Sequence, residues 1–214
     1  MSESHDHARE AHDHQAAHGQ QAWDERYRAK PDVWSGNPNP VLVAEAVDLE
    51  PGTALDAGAG EGGDAFWLAE KGWAVTAADV SSVAIERAAK RASARGLTIT
   101  WVHANLVNAP VPGTYDLVTA HFLHVPKSEQ QALFRNLAAA VAPGGILLVV
   151  GHDFSDMEKL PRPDLLEYGW TAQEVAVTLG EDWTIEASET RPRQAVVDGE
   201  EITIADAVLR ARRH

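Results

Sequence analysis

The stretch with the clearest capacity to bind a ligand is a glycine run between a predicted strand and a predicted helix. The run contains Gly58, Gly60, Gly62 and Gly63. An apolar stretch, Thr53–Ala57, predicts a buried strand before it, and residues 64–71 predict a helix after it. Glycines let the backbone turn sharply against a ligand, and a helix start offers free N–H groups there. This pattern is typical of a site for a nucleotide or nucleoside, or else of a structural turn in an α/β protein.

Asp56 distinguishes between ligand types. The spacing Gly58-x-Gly60-x-x-Gly63 also fits the dinucleotide fingerprint. A carboxylate two residues before the first glycine would repel a diphosphate and attract a cation. The run resembles motif I of the class I S-adenosylmethionine-dependent methyltransferases, whose ligand carries an ammonium and a sulfonium and no phosphate. The resemblance covers roughly residues 21–213.

A second carboxylate strengthens the resemblance. The predicted strand Ala74–Asp79 ends in Asp79, which lies 21 positions after Gly58. That spacing suits an acceptor for ribose hydroxyls, and the alternative is a cap for the helix that follows. The resemblance implies that Asp56, Gly58, Ala59 and Gly60 hold the methionine portion. It further implies that the ribose and adenine contacts come from Asp79, Val80, Asn105 and Leu106, where Asn105 replaces the Asp that is common in the family.

Aromatic residues precede the first predicted strand. A helix over residues 22–29 places Trp23 and Tyr27 on one face, and Trp34 follows. These rings either pack against the domain or form a lid in which Tyr27 and Trp34 contact the cofactor. Residues 23–27 resemble the lead-in of the small tellurite-resistance and thiopurine-type methyltransferases.

Three histidines are candidate catalytic residues. His121 and His124 follow the fourth predicted strand and His152 follows the fifth, at the sheet edge where α/β folds bind ligands. With the resemblance, His121 is expected beside the cofactor sulfur as a general base, and His124 or His152 is expected to face the acceptor. The alternative for each is an imidazole bonded to the backbone. Residues 154–170 are interpreted as a loop that covers the substrate.

Alternating strand and helix signals predict the fold. Five βα units precede two closing strands, over residues 183–191 and 201–210, with an Asp198-Gly199 turn between them. Further strands are predicted over residues 98–104, 115–120 and 146–150, and capping boxes at Ser128-x-x-Gln131 and Thr171-x-x-Glu174. The expected architecture is α/β, with a doubly wound, Rossmann-like, seven-stranded, mostly parallel sheet and a C-terminal antiparallel hairpin. That architecture is the one the methyltransferase resemblance implies.

Composition limits the partners. The chain has 214 residues, a formal charge of −14 and no cysteine. This charge opposes binding to nucleic acid or to an anionic membrane, and we expect a cytoplasmic protein. Residues 1–20 predict a disordered tail with five histidines, able at most to bind divalent metal weakly, and residues 21–214 predict the domain. No metal site is predicted within that domain.

The function expected from these features is transfer of a methyl group from S-adenosylmethionine to a small-molecule acceptor. The residues name no acceptor, so the nucleophile is left as oxygen, sulfur or another chalcogen. Two alternatives are a cofactor-binding protein without catalysis and a nicotinamide-dependent oxidoreductase.

Overall fold

The computed structural model describes residues 19–30, 32–153, 167–197 and 200–214. Its helices are α1 (Gln20–Ala29), α2 (Pro40–Ala46), α3 (Gly63–Glu70), α4 (Ser82–Ala94), α5 (Lys127–Ala139) and α6 (Ala172–Ala176). Its strands are β1 (Thr53–Ala57), β2 (Ala74–Asp79), β3 (Thr100–His103), β4 (Tyr115–His121), β5 (Val141–His152), β6 (Trp183–Val197) and β7 (Glu200–Arg213). None of the helices in these ranges is long and apolar enough to cross a bilayer.

One seven-stranded sheet has the order β3-β2-β1-β4-β5-β7-β6. Strands β1 to β5 pair in parallel, and β7 runs antiparallel to both β5 and β6. The strand order reverses between β1 and β4, and Ala57 at the end of β1 pairs with Ala78 and with Ala120. The predicted architecture is therefore confirmed. In such sheets the crevice beside the reversal is the expected place for a ligand.

Both faces of the central strands are buried, as a parallel sheet requires. Neighbouring residues alternate between two apolar clusters: Leu147 packs on one face of β5 and Leu148 on the other. Helix α5 covers the first face through Leu133 and Leu137, and α3 covers the second through Leu68. Burial of these large side chains, each about 1.5–3 kcal/mol, is the main term that stabilises the sheet.

Several predicted boundaries and caps needed correction. The box at Ser128-x-x-Gln131 is wrong, because the N-cap of α5 lies two residues earlier, at Pro126, and has no side-chain cap. The Thr171–Glu174 box is present. Strand β5 begins at Val141, since its first residue already pairs with Tyr115 before a register shift. Strand β3 is shorter than predicted, and both hairpin strands are longer.

Three expectations from the sequence lie outside the described residues. They concern most of the histidine tail, residues 154–166 of the segment 154–170 predicted to cover the substrate, and the Asp198-Gly199 turn.

Candidate functional site

A cavity of about 670 Å³ lies at the carboxyl ends of the parallel strands, beside the point where the strand order reverses. Of the residues predicted from the sequence, all but Asp56 line it. These are Tyr27, Trp34, Gly58, Ala59, Gly60, Asp79, Val80, Asn105, Leu106, His121, His124 and His152. The volume falls in the range of small-molecule sites, about 300–1,000 Å³. The topology therefore brings both predicted groups, the cofactor set and the histidines, to one space.

The glycine turn forms the floor of this cavity. Gly58 and Gly60 have φ values of +77° and +51°, a region that side chains rarely adopt. The amides of Gly58 and Ala59 donate to the carbonyl of Ala78, at 2.8 and 3.0 Å, which ties the turn to β2. A Cβ on Gly60 would lie 2.9 Å from the hydroxyl of Tyr27. Glycine at position 60 therefore keeps the space between the turn and the aromatic residues open.

Asp79 is held in place by backbone groups. Its Oδ2 accepts from the Gly60 amide and its Oδ1 from the Ser81 amide, both at 2.8 Å. Burial raises the pKa of Asp79, and the bonds from Ser81 and Gly60 act in the opposite direction. The cap of α4 is the Ser81 hydroxyl, which accepts from the Ala84 amide. The carboxylate thus lines the cavity while its capping role is filled by Ser81.

Helix α1 places the predicted aromatic residues over the turn. The Trp34 indole donates to the Tyr27 hydroxyl at 2.9 Å, and both side chains line the cavity. Burial, followed by the nearby Asp79, raises the pKa of Tyr27, so the phenol keeps its proton. The Arg26 guanidinium lies 5.2 Å from the ring centroids of Trp23 and of Trp34. The rings of Tyr27 and Trp34 therefore face the cavity, and their contact with a cofactor as a lid stays a prediction.

The residues that hold the aromatic segment against the glycine turn were missed from the sequence. Glu61, 2% exposed, accepts from the amides of Val33 and Trp34, at 2.8 and 3.2 Å. Its other oxygen lies 3.5 Å from Arg87 and 3.7 Å from Arg91 on α4. The signal available in the sequence was a glutamate between Gly60 and Gly62. Its burial requires partners of this kind, since a glutamate is rarely buried without them.

Asp24 joins helix α1 to the start of helix α4. This residue of α1 accepts from the Ser81 hydroxyl at 2.6 Å and from the Val83 amide at 3.3 Å. Asp24 therefore fixes the first turn of α4 against α1, directly after Asp79.

Asp56 does not line the cavity. Its side chain is buried beneath the glycine turn at 2% exposure. Burial raises the pKa of Asp56 well above its usual range, with further contributions from Asp64 and Asp79, against a backbone hydrogen bond from Ala65. The prediction placed this carboxylate on the ligand. The structure places it one layer below, because a strand residue that faces helix α3 cannot also face the crevice.

His121 is fixed on both ring nitrogens. Nδ1 lies 2.7 Å from Asp64 Oδ2, and Nε2 lies 2.8 Å from Thr119 Oγ1. Asp64 comes from the start of α3 and also lines the cavity, a role missed from the sequence. Both ring nitrogens therefore lie within hydrogen-bond distance of protein side chains.

The far half of the cavity is lined by rings and a guanidinium. Phe122 has φ +51°, a strained value for a bulky residue, and its ring centroid lies 4.7 Å from that of His152. The His124 and His152 rings stack at 5.5 Å. His152 Nδ1 lies 3.9 Å from Asp206 Oδ1, and Arg193 of β6 completes this wall. The sequence pointed to the two histidines but not to the contribution of the hairpin.

Asn105 lines the cavity beside Leu106, as predicted. Its Oδ1 accepts from the Val107 amide at 3.0 Å and so closes a turn after β3. An amide oxygen has two lone pairs, and one remains for a ligand.

Comparison with known sequences agrees with this geometry. A family model described as a methyltransferase domain matches residues 54–145, from β1 into β5. The cypemycin N-terminal methyltransferase of a Streptomyces species is 30% identical over 149 residues, which cover 68% of this chain and 57% of that protein. The tRNA 5-carboxymethoxyuridine methyltransferase of Escherichia coli K12 is 32% identical over 97 residues, 44% of this chain and 37% of that protein.

Solved structures share the whole fold. One solved structure comes from work on the conversion of a disulfide bond into a thioacetal group during echinomycin biosynthesis. It matches this chain with a TM-score of 0.73 and 28% sequence identity. It covers 91% of this chain and 92% of that one. The chain belongs to the class I S-adenosylmethionine-dependent methyltransferase superfamily. The N-methyltransferase NodS from Bradyrhizobium japonicum WM9, solved with S-adenosylhomocysteine, has a TM-score of 0.68 and 21% identity and covers 91% of this chain and 97% of that one.

The chain spans 57% to 59% of the length of the first curated methyltransferases it matches. The matched family region contains the glycine turn, Asp79 and His121, whereas Arg193 and the hairpin lie outside it. The cavity of this methyltransferase fold thus combines a floor from the family region with a wall to which residues outside that region, His152 and Arg193, contribute.

Proposed function

We propose that the chain transfers a methyl group from S-adenosylmethionine to a small-molecule acceptor with an oxygen, sulfur or other chalcogen nucleophile. The observation that carries this proposal is a single cavity with two chemically different halves. One half is formed by the glycine turn and buried carboxylates, and the other by imidazoles, Phe122 and Arg193. The S-adenosylhomocysteine bound in the NodS structure supports the choice of cofactor.

The residues of the first half fit this cofactor. Asp79 is 7% exposed and uses one lone pair on each oxygen for backbone bonds, which leaves acceptor capacity toward the cavity. Two hydroxyls on adjacent ribose carbons are suitable donors for such a carboxylate. Gly58 and Gly60 leave room for close approach, and the Tyr27 phenol retains its own proton to donate. A diphosphate is a poor alternative, because Glu61, Asp64 and Asp79 all line this half.

When bound, S-adenosylmethionine would supply an electrophilic methyl group on a sulfonium. The protein then has to hold the acceptor in line with that group and exclude water, which can contribute about 7–11 kcal/mol at most. We assign the holding of the acceptor to the wall formed by Phe122, His124 and His152. The strained backbone of Phe122 supports this, since such strain persists where the surrounding structure needs the side chain in one position.

The proton of a hydroxyl acceptor needs a base. We propose His152 for this step, because its Nδ1 lies 3.9 Å from the buried Asp206 carboxylate, which can orient the ring and stabilise the cation formed on proton transfer. His124, stacked on it, is the other candidate. His121, predicted as the base from the sequence, is proposed instead to position the wall through its bonds to Asp64 and Thr119.

The acceptor is proposed to be a small molecule rather than RNA. The Escherichia coli relative acts on tRNA, but a protein that neutralises phosphates needs a basic face. This chain carries a formal charge of −14.

The test combines binding with transfer. Calorimetry with S-adenosylmethionine and with NADH separates the methyltransferase from the oxidoreductase alternative, and tight binding of NADH alone would overturn the proposal. Incubation with methyl-labelled S-adenosylmethionine and a panel of phenols, thiols and chalcogen anions should then give a labelled product and S-adenosylhomocysteine. Cofactor binding without transfer to any acceptor would support the non-catalytic alternative.

A further inference from the structure

Arg193 brings a fixed guanidinium from the C-terminal hairpin into the acceptor half of the cavity. Its Nε donates to Asp206 Oδ2 at 2.7 Å, and its Nη2 donates to Asp206 Oδ1 at 3.2 Å. Asp206 itself is 2% exposed. The Cζ of Arg193 lies 5.4 Å from the Phe122 ring centroid. Two bonds and one ring contact therefore hold the guanidinium at the cavity wall.

The hydrogen bonds of Arg193 to Asp206 leave one edge of the guanidinium unused. A guanidinium has five N–H groups in one plane, and Asp206 takes those on the Nε edge. The remaining edge, Nη1 with the second hydrogen of Nη2, meets no acceptor among the residues the structure describes. Two parallel N–H groups match the two oxygens of a carboxylate. The guanidinium therefore presents two donor edges: the Nε–Nη2 edge is bonded to Asp206, and the Nη1–Nη2 edge is open to a ligand.

The charges around this guanidinium favour a monoanion. Arg26 is the other guanidinium among the described lining residues, and it lies on the lid rings of Trp23 and Trp34. Asp206 already pairs with Arg193 and offsets its charge, and Glu129 also lines the cavity. One shared guanidinium suits a carboxylate with one charge, whereas a phosphate dianion needs more positive charge.

We infer that the methyl acceptor is a carboxylic acid, and that Arg193 binds its carboxylate through the open edge of the guanidinium while Phe122 and His152 hold the rest of the molecule. This inference rests on the proposed methyl transfer and specifies its substrate class. Arg193 is thereby a specificity-determining residue supplied by β6, outside the matched family region.

The test uses acceptors that differ only in the anion. The probes are 3,4-dihydroxybenzoate against 3,4-dihydroxybenzamide, and 2-mercaptobenzoate against 2-mercaptobenzamide, titrated into the full chain saturated with S-adenosylhomocysteine. We expect the carboxylate of at least one pair to bind about 10-fold or more tightly than its amide, the scale for charged hydrogen bonds. Because Arg193→Gln alone would leave Asp206 buried without its cation, the variant is Arg193→Gln with Asp206→Asn. It should bind both members of that pair equally.

Arg191→Gln is the matched control, an arginine on the same strand that pairs with Glu45 and Glu189 and does not line the cavity. It should keep the preference for the carboxylate. Equal binding of carboxylate and amide by the unaltered protein in both pairs overturns the inference, as does a preference that survives in the double variant. Failure to bind S-adenosylhomocysteine at all would instead overturn the proposed function, so the two failures are distinguishable.

Discussion

The Asp64 carboxylate lies 2.7 Å from His121 Nδ1 and so joins the start of α3 to the end of β4. A carboxylate only accepts hydrogen bonds, so Nδ1 carries a hydrogen, while the Thr119 hydroxyl oxygen lies 2.8 Å from Nε2 and 3.2 Å from Nδ1. The His121 side chain is 4% exposed. An imidazole held in this way can fix the start of the 121–126 segment, which carries Phe122 and His124 to the cavity.

His121→Ala should therefore lower kcat by a similar factor for a hydroxyl acceptor and for a thiol of low pKa. We expect about 10-fold for both, since misplacement of the acceptor wall affects either nucleophile. The measurement is the ratio of mutant to original rate for two acceptors of matched shape.

His152→Ala is the comparison variant. It should lower the hydroxyl rate by about 10²-fold or more and the thiolate rate much less, because only the hydroxyl has to lose a proton to a base. If His121→Ala showed that selective loss and His152→Ala did not, the assignment of the base would be reversed.

Asp79→Ala should weaken S-adenosylmethionine binding by about 2 kcal/mol or more, equal to about 30-fold, because a carboxylate that accepts from ribose hydroxyls is lost. The dissociation constant is measured by calorimetry. The substitution also removes two backbone bonds, from Gly60 and Ser81.

The control for Asp79 is Asp116→Ala. Asp116 likewise accepts two hydrogen bonds, from the amide and hydroxyl of Thr53, but at the opposite end of the sheet. The Asp116→Ala variant should be less stable than the original protein, but its dissociation constant for S-adenosylmethionine should be unchanged. An unchanged constant for Asp79→Ala as well would show that Asp79 only braces the turn.

Gly60→Ala should reduce both stability and cofactor binding. Alanine at φ +51° is strained by about 1–2 kcal/mol, and its Cβ would lie 2.9 Å from the Tyr27 hydroxyl. Gly96→Ala has the same kind of strain, at φ +69°, with nothing within 4 Å of the added Cβ. Thermal unfolding should show a loss for both variants, larger for Gly60→Ala because of its contact with Tyr27, and calorimetry should show weaker binding, by about 10-fold, for Gly60→Ala alone. Equal binding by the two variants would mean that the turn tolerates a side chain.

Asp56→Asn should stabilise the protein at pH 8 and much less at pH 4. Burial raises the pKa of Asp56, so the folded protein retains a proton that the unfolded chain releases above about pH 4. Stability therefore falls as pH rises from the unfolded pKa through the folded pKa. We expect a gain of about 1 kcal/mol or more at pH 8, a rise of about 2–4 °C in Tm.

The control for Asp56→Asn is Asp116→Asn, for which the expected change in stability at pH 8 has the opposite sign. Hydrogen bonds from Thr53 lower the pKa of Asp116, so its carboxylate contributes stability above the unfolded pKa and loses it as pH falls. Asp116→Asn should lower Tm at pH 8 and change it less at low pH. A gain for Asp56→Asn that is equal at both pH values would show a packing effect rather than an ionisation effect.

Much of the sheet was predictable from the sequence because its signals are local. Continuous apolar strands, glycine turns and the spacing from Gly58 to Asp79 all act within one βα unit, and parallel strands bring their carboxyl ends to one edge. The errors arose where distant pairing overrides a local signal. Val141 joins β5 because it pairs with Tyr115, although Pro143-Gly144-Gly145 predicts a turn there.

The fold, the glycine turn and the position of Asp79 could be predicted from the sequence, since their signals lie in residues near one another in the chain. Three further features became visible only in three dimensions: Asp56 lies beneath the cavity, Glu61 binds the amides of Val33 and Trp34, and Arg193 lies on the Phe122 ring. Each of these contacts joins elements far apart in sequence. Their geometry follows from strand order and helix packing, and no local pattern of residue types encodes which side of a buried element meets which neighbour.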